Sequence, residues 1–378
     1  MTSAPRRAYI DWARGVAVLL MIEAHTLDAW TRLAGRRTVL YRDATILGGF
    51  AAPLFLFLAG LAVVLSATRT AERTGSRARA ADAIVRRGLE IFILAFLFRI
   101  QAFIVSPGNH PVALFRVDIL NVMGPAIAVA GLVWAVSASR SGRVAAFALV
   151  ATAFTMLTPI VRTAALVDRL PVWVQWNIRP AGELTVFTLF PWAGFVFAGG
   201  AVGVLLAAAG TEKAERRLHA ALALIGFALI EIGFFTAGRP SIYTSSSFWT
   251  SSPTWFAIRV GILMVAVSAM FVLETFVGRQ ENPGTLQANR LFRAVALSWQ
   301  TPLARMGRSS LFIYWIHVEL VYGYASWLWR HRLPIWGTAI AYVLFCILIY
   351  RAIGWRDRAV SAWRARPRAQ LMSAAPSA

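Results

Sequence analysis

The stretch Ala13-Arg14-Gly15-Val16-Ala17-Val18-Leu19-Leu20-Met21-Ile22-Glu23-Ala24-His25-Thr26-Leu27-Asp28-Ala29-Trp30 decides the architecture. It is close to the ~20 mostly apolar residues that a helix needs to cross a bilayer. A secretory leader would not favour Glu23, His25 and Asp28 in its core, and no good small-residue cleavage site stands near Ala34. The run therefore reads as an uncleaved first span, near 13–33. Nine further runs follow, near 44–66, 88–105, 118–137, 144–163, 183–208, 218–236, 254–277, 309–329 and 335–353. Backbone groups find no water in hydrocarbon, so each run is expected to be a helix. The expected fold is an all-α, polytopic membrane bundle of about ten transmembrane helices. One transmembrane domain is expected over residues 8–355. A basic tail follows, 356–378, whose end after Trp363 has the Ala, Arg, Ser and Pro content of a disordered segment.

Composition agrees. Of 378 residues, 58% are hydrophobic and 15% charged, against about 25% charged in soluble domains. The net charge of +21 does not indicate nucleic acid, because the arginines punctuate the apolar runs, as cytosolic loop charges do. With the amino end placed inside, 25 of the 38 basic residues fall in cytosolic segments, 12 outside, and Arg259 within a span. That bias predicts both ends in the cytosol and an even number of spans. Lys213 is the only lysine, a usage associated with high-GC bacterial genomes, so a bacterial cytoplasmic (inner) membrane is expected. Cys346 is the only cysteine, which excludes an intrachain disulfide. No metal-ligand spacing, phosphate-binding glycine loop or nucleophile elbow is present.

Ionisable residues inside a span cost free energy and mark candidate sites. At about 100° per residue, His25 lies about 20° around the first helix from Arg14, Asp11 about 60° to one side and Asp28 about 40° to the other. All four share one stripe, whereas Glu23 points away. Along the axis Arg14 and His25 are about 16 Å apart. The stripe could line a polar cavity, with Arg14 at a cytosolic mouth where an anionic donor enters. His25 would be a general base near neutral pH and Asp28 would orient it. The plainer alternative is that His25 packs helices together. In the ninth span Ser310, Tyr314, His317 and Tyr324 share a face. His317 is a second cavity residue or an interhelix hydrogen-bonding group, and Ser309 or Ser310 could simply cap the helix. Asp118 and Asn121, three apart, share another face. Arg79, Arg86 and Arg87 could hold phosphates of a nucleotide-bearing donor or be ordinary cytosolic charge. Pro171-Val172-Trp173-Val174-Gln175-Trp176-Asn177 and the Ser/Thr-rich stretch with Tyr243, Phe248 and Trp249 are interfacial aromatics or a platform for a sugar. The glycines of Phe197-Ala198-Gly199-Gly200-Ala201-Val202-Gly203 read as close helix packing.

At these residues the chain resembles a known family. Ile10-Asp11-Trp12-Ala13-Arg14-Gly15-Val16-Ala17-Val18 with Met21 is similar to the opening of bacterial relatives of heparan-alpha-glucosaminide N-acetyltransferase, within the broader transmembrane acyltransferases. Similar blocks follow in order: Ala52-Pro53-Leu54-Phe55-Leu56-Phe57-Leu58-Ala59-Gly60; Arg116-Val117-Asp118-Ile119-Leu120 with Gly124; Phe190-Pro191-Trp192 with Gly199 and Gly203; and Pro302-Leu303 with Gly307-Arg308-Ser309-Ser310-Leu311-Phe312-Ile313-Tyr314 and His317. The resemblance covers about residues 8–350. It implies a multi-helix enzyme that moves an acetyl group from cytosolic acetyl-CoA to an amino sugar across the membrane. The spacing of Arg14 and His25 also resembles the motif of membrane acyltransferases that decorate bacterial glycans, where both residues are needed for transfer. The chain departs from the family between Leu33 and Gly49, where no histidine occurs and Gly49 stands in place of an expected acid. The catalytic histidine should then be His25.

The expected function is therefore transfer of an acetyl or acyl group from cytosolic acyl-CoA to a sugar or glycan on the far side. His25, Asp28 and Arg14 would be catalytic. Asp11, Asp118, Asn121, Tyr314, His317 and Trp176 would line the substrate site, and Arg79, Arg86 and Arg87 would hold the donor. Acetyl-CoA is the expected donor substrate, with no metal. Expected partners are the lipid bilayer, acyl-CoA and the glycan acceptor, with no nucleic acid and a homodimer left open. The rival readings are a transporter without acyl chemistry, for which the internal repeats and paired broken helices common in transporters are missing, and a structural membrane protein.

Overall fold

The computed structural model describes residues 7–105, 110–280 and 301–373, with side chains at 277–280 and 365–373 left aside. Arginines 6, 290 and 293 of the charge count and residues 374–378 of the tail lie outside the described residues. Among those described there is no β-strand, only two isolated bridges, Thr31 with Leu333 and Val117 with Thr185.

Each of the ten apolar runs is helical. In chain order the α-helices are α1 (Ala8–Trp30), α2 (Val39–Gly48), α3 (Ala51–Thr74), α4 (Arg77–Val105), α5 (Ile119–Val136), α6 (Arg140–Met156), α7 (Thr158–Thr163), α8 (Val172–Ile178), α9 (Leu189–Ala207), α10 (Glu212–Ala237), α11 (Pro253–Gln280), α12 (Ser310–Tyr322) and α13 (Ile335–Ser373); residues 301–308 are also helical. Among the described residues, eight candidate spans are long and apolar enough to cross a membrane by length and hydropathy, with α2 and α3 counted as one. The chain is thus an integral membrane protein. The first helix misses that standard because Asp11, Arg14, Glu23 and Asp28 interrupt it, and α12 has only 13 residues.

Several boundaries move, each for a local reason. The second run breaks at Gly48-Gly49, so α2 and α3 meet at a bend. The fifth breaks at Leu157, where Pro159 opens a new helix, because proline suits a helix's first turn and not its interior. The ninth ends at Tyr322, before Gly323, so Tyr324 leaves the helix for a 3-10 turn. The tenth does not end near residue 353: α13 has 39 residues, about 58 Å at 1.5 Å each. That exceeds the ~30 Å hydrocarbon core, and the expected division between domain and tail falls inside this one helix.

Burial sorts the helices into two layers. The apolar windows of α9 and α5 are 72% and 61% buried, whereas those of α10 and α4 are 17% and 22% buried. Side chains such as Ile93, Leu224, Phe227, Phe235 and Leu344 on the outer helices stay exposed, as lipid-facing surface requires. The inner helices approach closely through glycine. A Cβ on Gly60 would lie 1.8 Å from the Val196 carbonyl oxygen, and one on Gly199 would lie 1.9 Å from that of Phe57. The glycine-rich α9 therefore packs backbone to backbone on α3, as its sequence predicts. Gly15 and Gly307 do the same between α1 and residues 301–308, since Cβ atoms there would meet Leu303 and Asp11 carbonyls. These contacts place α1 at the seam of two apolar cores, with Trp12 and Ala17 in the larger and Val18, Ile22 and Trp30 in the one shared with α12 and α13.

Candidate functional site

One cavity of about 920 Å³ runs along α1 between the inner helices. Its lining extends from Arg14, Ser66, Arg87 and Ser310 at the end where α1 begins (the proximal end) to Asp28, Thr45, Arg116 and Arg330 at the distal end. Fourteen residues separate Arg14 from Asp28, about 21 Å along the helix. Small or apolar side chains form the walls between them, among them Ala59, Ala62, Ile91 and Met123. Arg14, His25 and Asp28 all line this space, as the 100° stripe predicts.

His25 sits in a relay. The Tyr322 hydroxyl donates to Asp28 Oδ2 at 2.9 Å and lies 3.1 Å from His25 Nδ1. A hydroxyl has one proton, and a carboxylate can only accept. With that proton on Asp28, the Tyr322 oxygen must accept from His25 Nδ1–H. Nε2, the other nitrogen of a ring that lines the cavity, then carries the lone pair. Asp28 orients His25 as expected, but through Tyr322 and not directly. The carboxylate is held in turn by Arg36 at 3.7 Å, and Arg36 also donates to the Asp28 carbonyl and to His331 Nδ1 at 3.0 Å. Burial first, then the Arg36 charge, lowers the pKa of His331, which keeps that nitrogen free to accept. Backbone hydrogen bonds from Arg32 and Leu333 tie the same two loops together.

The second wall is built on α4, α5 and α12. Asp118 caps α5 by accepting from Leu120 N–H at 2.9 Å and pairs with Arg99 at 2.5 Å, the two side chains being 5% and 12% exposed. Asn121 accepts from the Asp118 N–H at 3.0 Å, closing a capping box. Asp118 lines the cavity and Asn121 does not, so the pair divides into a wall residue and a helix cap. Tyr314 also lines the cavity. Arg116, just before α5, reaches the cavity with its Nε unpartnered; burial and the nearby Arg99 lower its pKa.

The remaining predicted residues sit as follows. Asp11 is buried off the cavity, 3.5 Å from Arg14. His317 is fully buried behind the wall: Nδ1 donates to the Ile313 carbonyl at 2.8 Å, and the ring meets His25 edge-on at 5.1 Å between centroids. It supports His25 from the protein side, and Ser309 accepts from Arg356 at 3.1 Å without a side-chain cap bond to the helix. Of the arginine trio only Arg87 lines the cavity; it pairs with Glu90 and Arg86 with Asp82, each at 2.9 Å, while Arg79 is exposed. Trp176 lies on α8 outside the lining, its carbonyl accepting from Thr185 at 3.0 Å. The tryptophan that does line the cavity is Trp192.

Sequence reasoning missed Tyr322, Arg99, Arg116 and Arg259. Tyr322 was within reach: Ser310, Tyr314, Val318 and Tyr322 follow one another at four-residue steps, and all line the cavity. It also missed a buried polar cluster at the proximal end. There the Tyr9 hydroxyl and Arg7 Nε each donate to Glu215 Oε1 at 2.8 Å, and His219 Nε2 lies 3.2 Å from the Tyr9 oxygen. This cluster fastens the start of α1 to α10, away from the cavity.

Among the described residues, no group of three or more His, Cys, Asp or Glu side chains is placed to hold a metal ion. The sequence model of one family, described as heparan-alpha-glucosaminide N-acetyltransferase, catalytic, matches residues 6–236. Comparison with curated proteins gives no match.

Proposed function

The chain belongs to the heparan-alpha-glucosaminide N-acetyltransferase catalytic family, and from that premise we propose that it moves an acetyl group from acyl-CoA to a sugar or glycan through the cavity along α1. The observation that carries this reading is the alignment of Arg14, His25 and Asp28 on one continuous wall. The proximal end, which receives most of the arginine charge, is read as cytosolic, in the bacterial inner membrane. Arg14 and Arg87 would hold the donor's phosphates there, and the long, thin pantetheine arm would follow the small-residue wall toward His25, about 16 Å deeper. The acceptor would enter from the distal end.

The chemistry then follows from the relay. His25 Nε2 takes the proton from the acceptor's amine or hydroxyl as that atom attacks the thioester carbonyl carbon. The new C–N or C–O bond forms, the C–S bond breaks, and the imidazolium returns its proton to the departing CoA thiolate. Products are CoA-SH and the acetylated acceptor, and His25 ends neutral. Asp28, through Tyr322, stabilises the imidazolium in between. Tyr314 and Asp118 shape the acceptor side, and His317 fixes the orientation of His25.

Reconstituted protein supplied with radiolabelled acetyl-CoA and glucosamine tests this. Label should pass to the sugar with wild type and fall by about 10²–10⁴-fold with His25→Ala. Sugar uptake without acetyl turnover would instead make the chain a carrier. Unchanged transfer by His25→Ala would remove the base from the mechanism.

A further inference from the structure

Arg259 is the one basic residue that the charge count leaves within a span. It stands in the second turn of α11, lines the distal part of the cavity, and makes no hydrogen bond or ion pair among the described residues. Its Nε is buried and unpartnered. What holds it is aromatic: the guanidinium carbon lies 4.8 Å from the Trp255 ring centroid and 5.5 Å from that of Trp192. Phe187 meets Trp192 edge-on at 4.7 Å and completes that side of the wall. Such stacking orients a guanidinium and keeps its charge, so the edge bearing the N–H donors stays available. Arg116 lines the same distal half; its side chain too makes no hydrogen bond or ion pair among the described residues, and its Nε is buried and unpartnered. Arg99, in the same half, is by contrast paired through its terminal nitrogen with Asp118, and Arg330 lines the cavity at its outer end.

Charged side chains at membrane depth normally pair with one another, and a buried cation without an anion is costly. Two partly buried cations facing one cavity, Arg116 with only the longer-range charges of Asp118 and Glu183 near it and Arg259 preoriented on two indoles, form a receptor for an anion. The proximal arginines that would serve the donor lie about 20 Å away, by the length of α1 between Arg14 and Asp28.

We propose that the distal half of the cavity recognises an acidic acceptor, a sugar bearing a carboxylate, sulfate or phosphate that Arg259 binds with help from Arg116 while Trp192 lies alongside the ring. The word acceptor rests on the acetyltransferase reading; the anion site itself does not. Arg259 lies beyond residues 6–236, which the family model matches.

The test is equilibrium binding to the full chain in lipid nanodiscs, without acetyl-CoA, so that it reads the site whether or not transfer occurs. The probes are glucosamine, glucosamine 6-sulfate, glucosamine 6-phosphate, glucuronate and coenzyme A. At least one acidic sugar should bind about tenfold or more tightly than glucosamine. Arg259→Gln should reduce that preference to within about twofold, and Arg259→Lys should restore part of it, which separates lost charge from lost folding. Coenzyme A affinity should not change. Equal binding of all sugars by wild type overturns the proposal. So does a loss of coenzyme A binding in Arg259→Gln, which would assign the anion to the donor's phosphates. Failure of the transferase reading shows separately, as absence of acetyl transfer by wild type to any probe.

Discussion

Replacing Tyr322 by Phe removes one oxygen and leaves the ring that packs edge-on against His25, at 5.5 Å between centroids. Two hydrogen bonds meet at that oxygen, at 3.1 Å to His25 Nδ1 and 2.9 Å to Asp28 Oδ2. Without it, nothing in the relay fixes the proton on Nδ1, and Asp28 no longer senses the imidazolium. A hydrogen bond to a charged group is worth about 1.5–3 kcal/mol. At about 1.4 kcal/mol per decade, the turnover rate should fall roughly 10- to 150-fold. The loss should appear in kcat, with KM for acetyl-CoA near the wild-type value, because on the proposed reading the donor's phosphates would bind at the other end of the cavity. Steady-state transfer of radiolabel to glucosamine by reconstituted protein reads both constants. The single variant Asp28→Asn should show a similar loss, and the double variant little more than either alone, since both act through one chain. A Tyr322→Phe enzyme within twofold of wild type, or losses that multiply in the double variant, would refute the relay.

Other perturbations probe other parts of the structure. Arg14→Ala should raise KM for acetyl-CoA more than it lowers kcat, which the same assay resolves. Arg99→Ala leaves Asp118 buried without its cation and should destabilise the protein by about 3–5 kcal/mol, seen as a lower melting temperature in detergent. Gly199→Leu forces side-chain atoms into the Phe57 backbone, an overpacking cost of about 1–3 kcal/mol or more, and should lower the melting temperature as well. His331 has its pKa lowered from the ordinary 6.5 by burial and by Arg36. Its contribution to stability is therefore present above pH 6.5 and lost as pH falls through the lower, folded-state value. Melting curves from pH 7 down to 5 should drop more for wild type than for His331→Gln, and parallel curves would show that the Arg36 contact adds nothing.

Much of this was legible in the chain itself. Membrane helices read directly, because their length and hydropathy are set by the bilayer and not by their neighbours. The stripe of Arg14, His25 and Asp28 read equally well, since residues on one rigid helix keep fixed angles whatever surrounds it, and the glycines of α9 announced close packing. What failed depended on a second element. Asn121 shares a face with Asp118, yet it turns back to cap its own helix. His317 shares a face with Tyr314, yet the packing of α12 against α1 buries it behind His25. Tyr322 gains its role only because the end of α12 comes to rest 3.1 Å from a histidine 297 residues earlier. Arg259 could be placed within a span from the sequence, but only the fold sets it on two indoles at the cavity wall. A helix's own geometry is local and written in its sequence; which face meets a partner, and which faces a cavity, is fixed only when the helices pack.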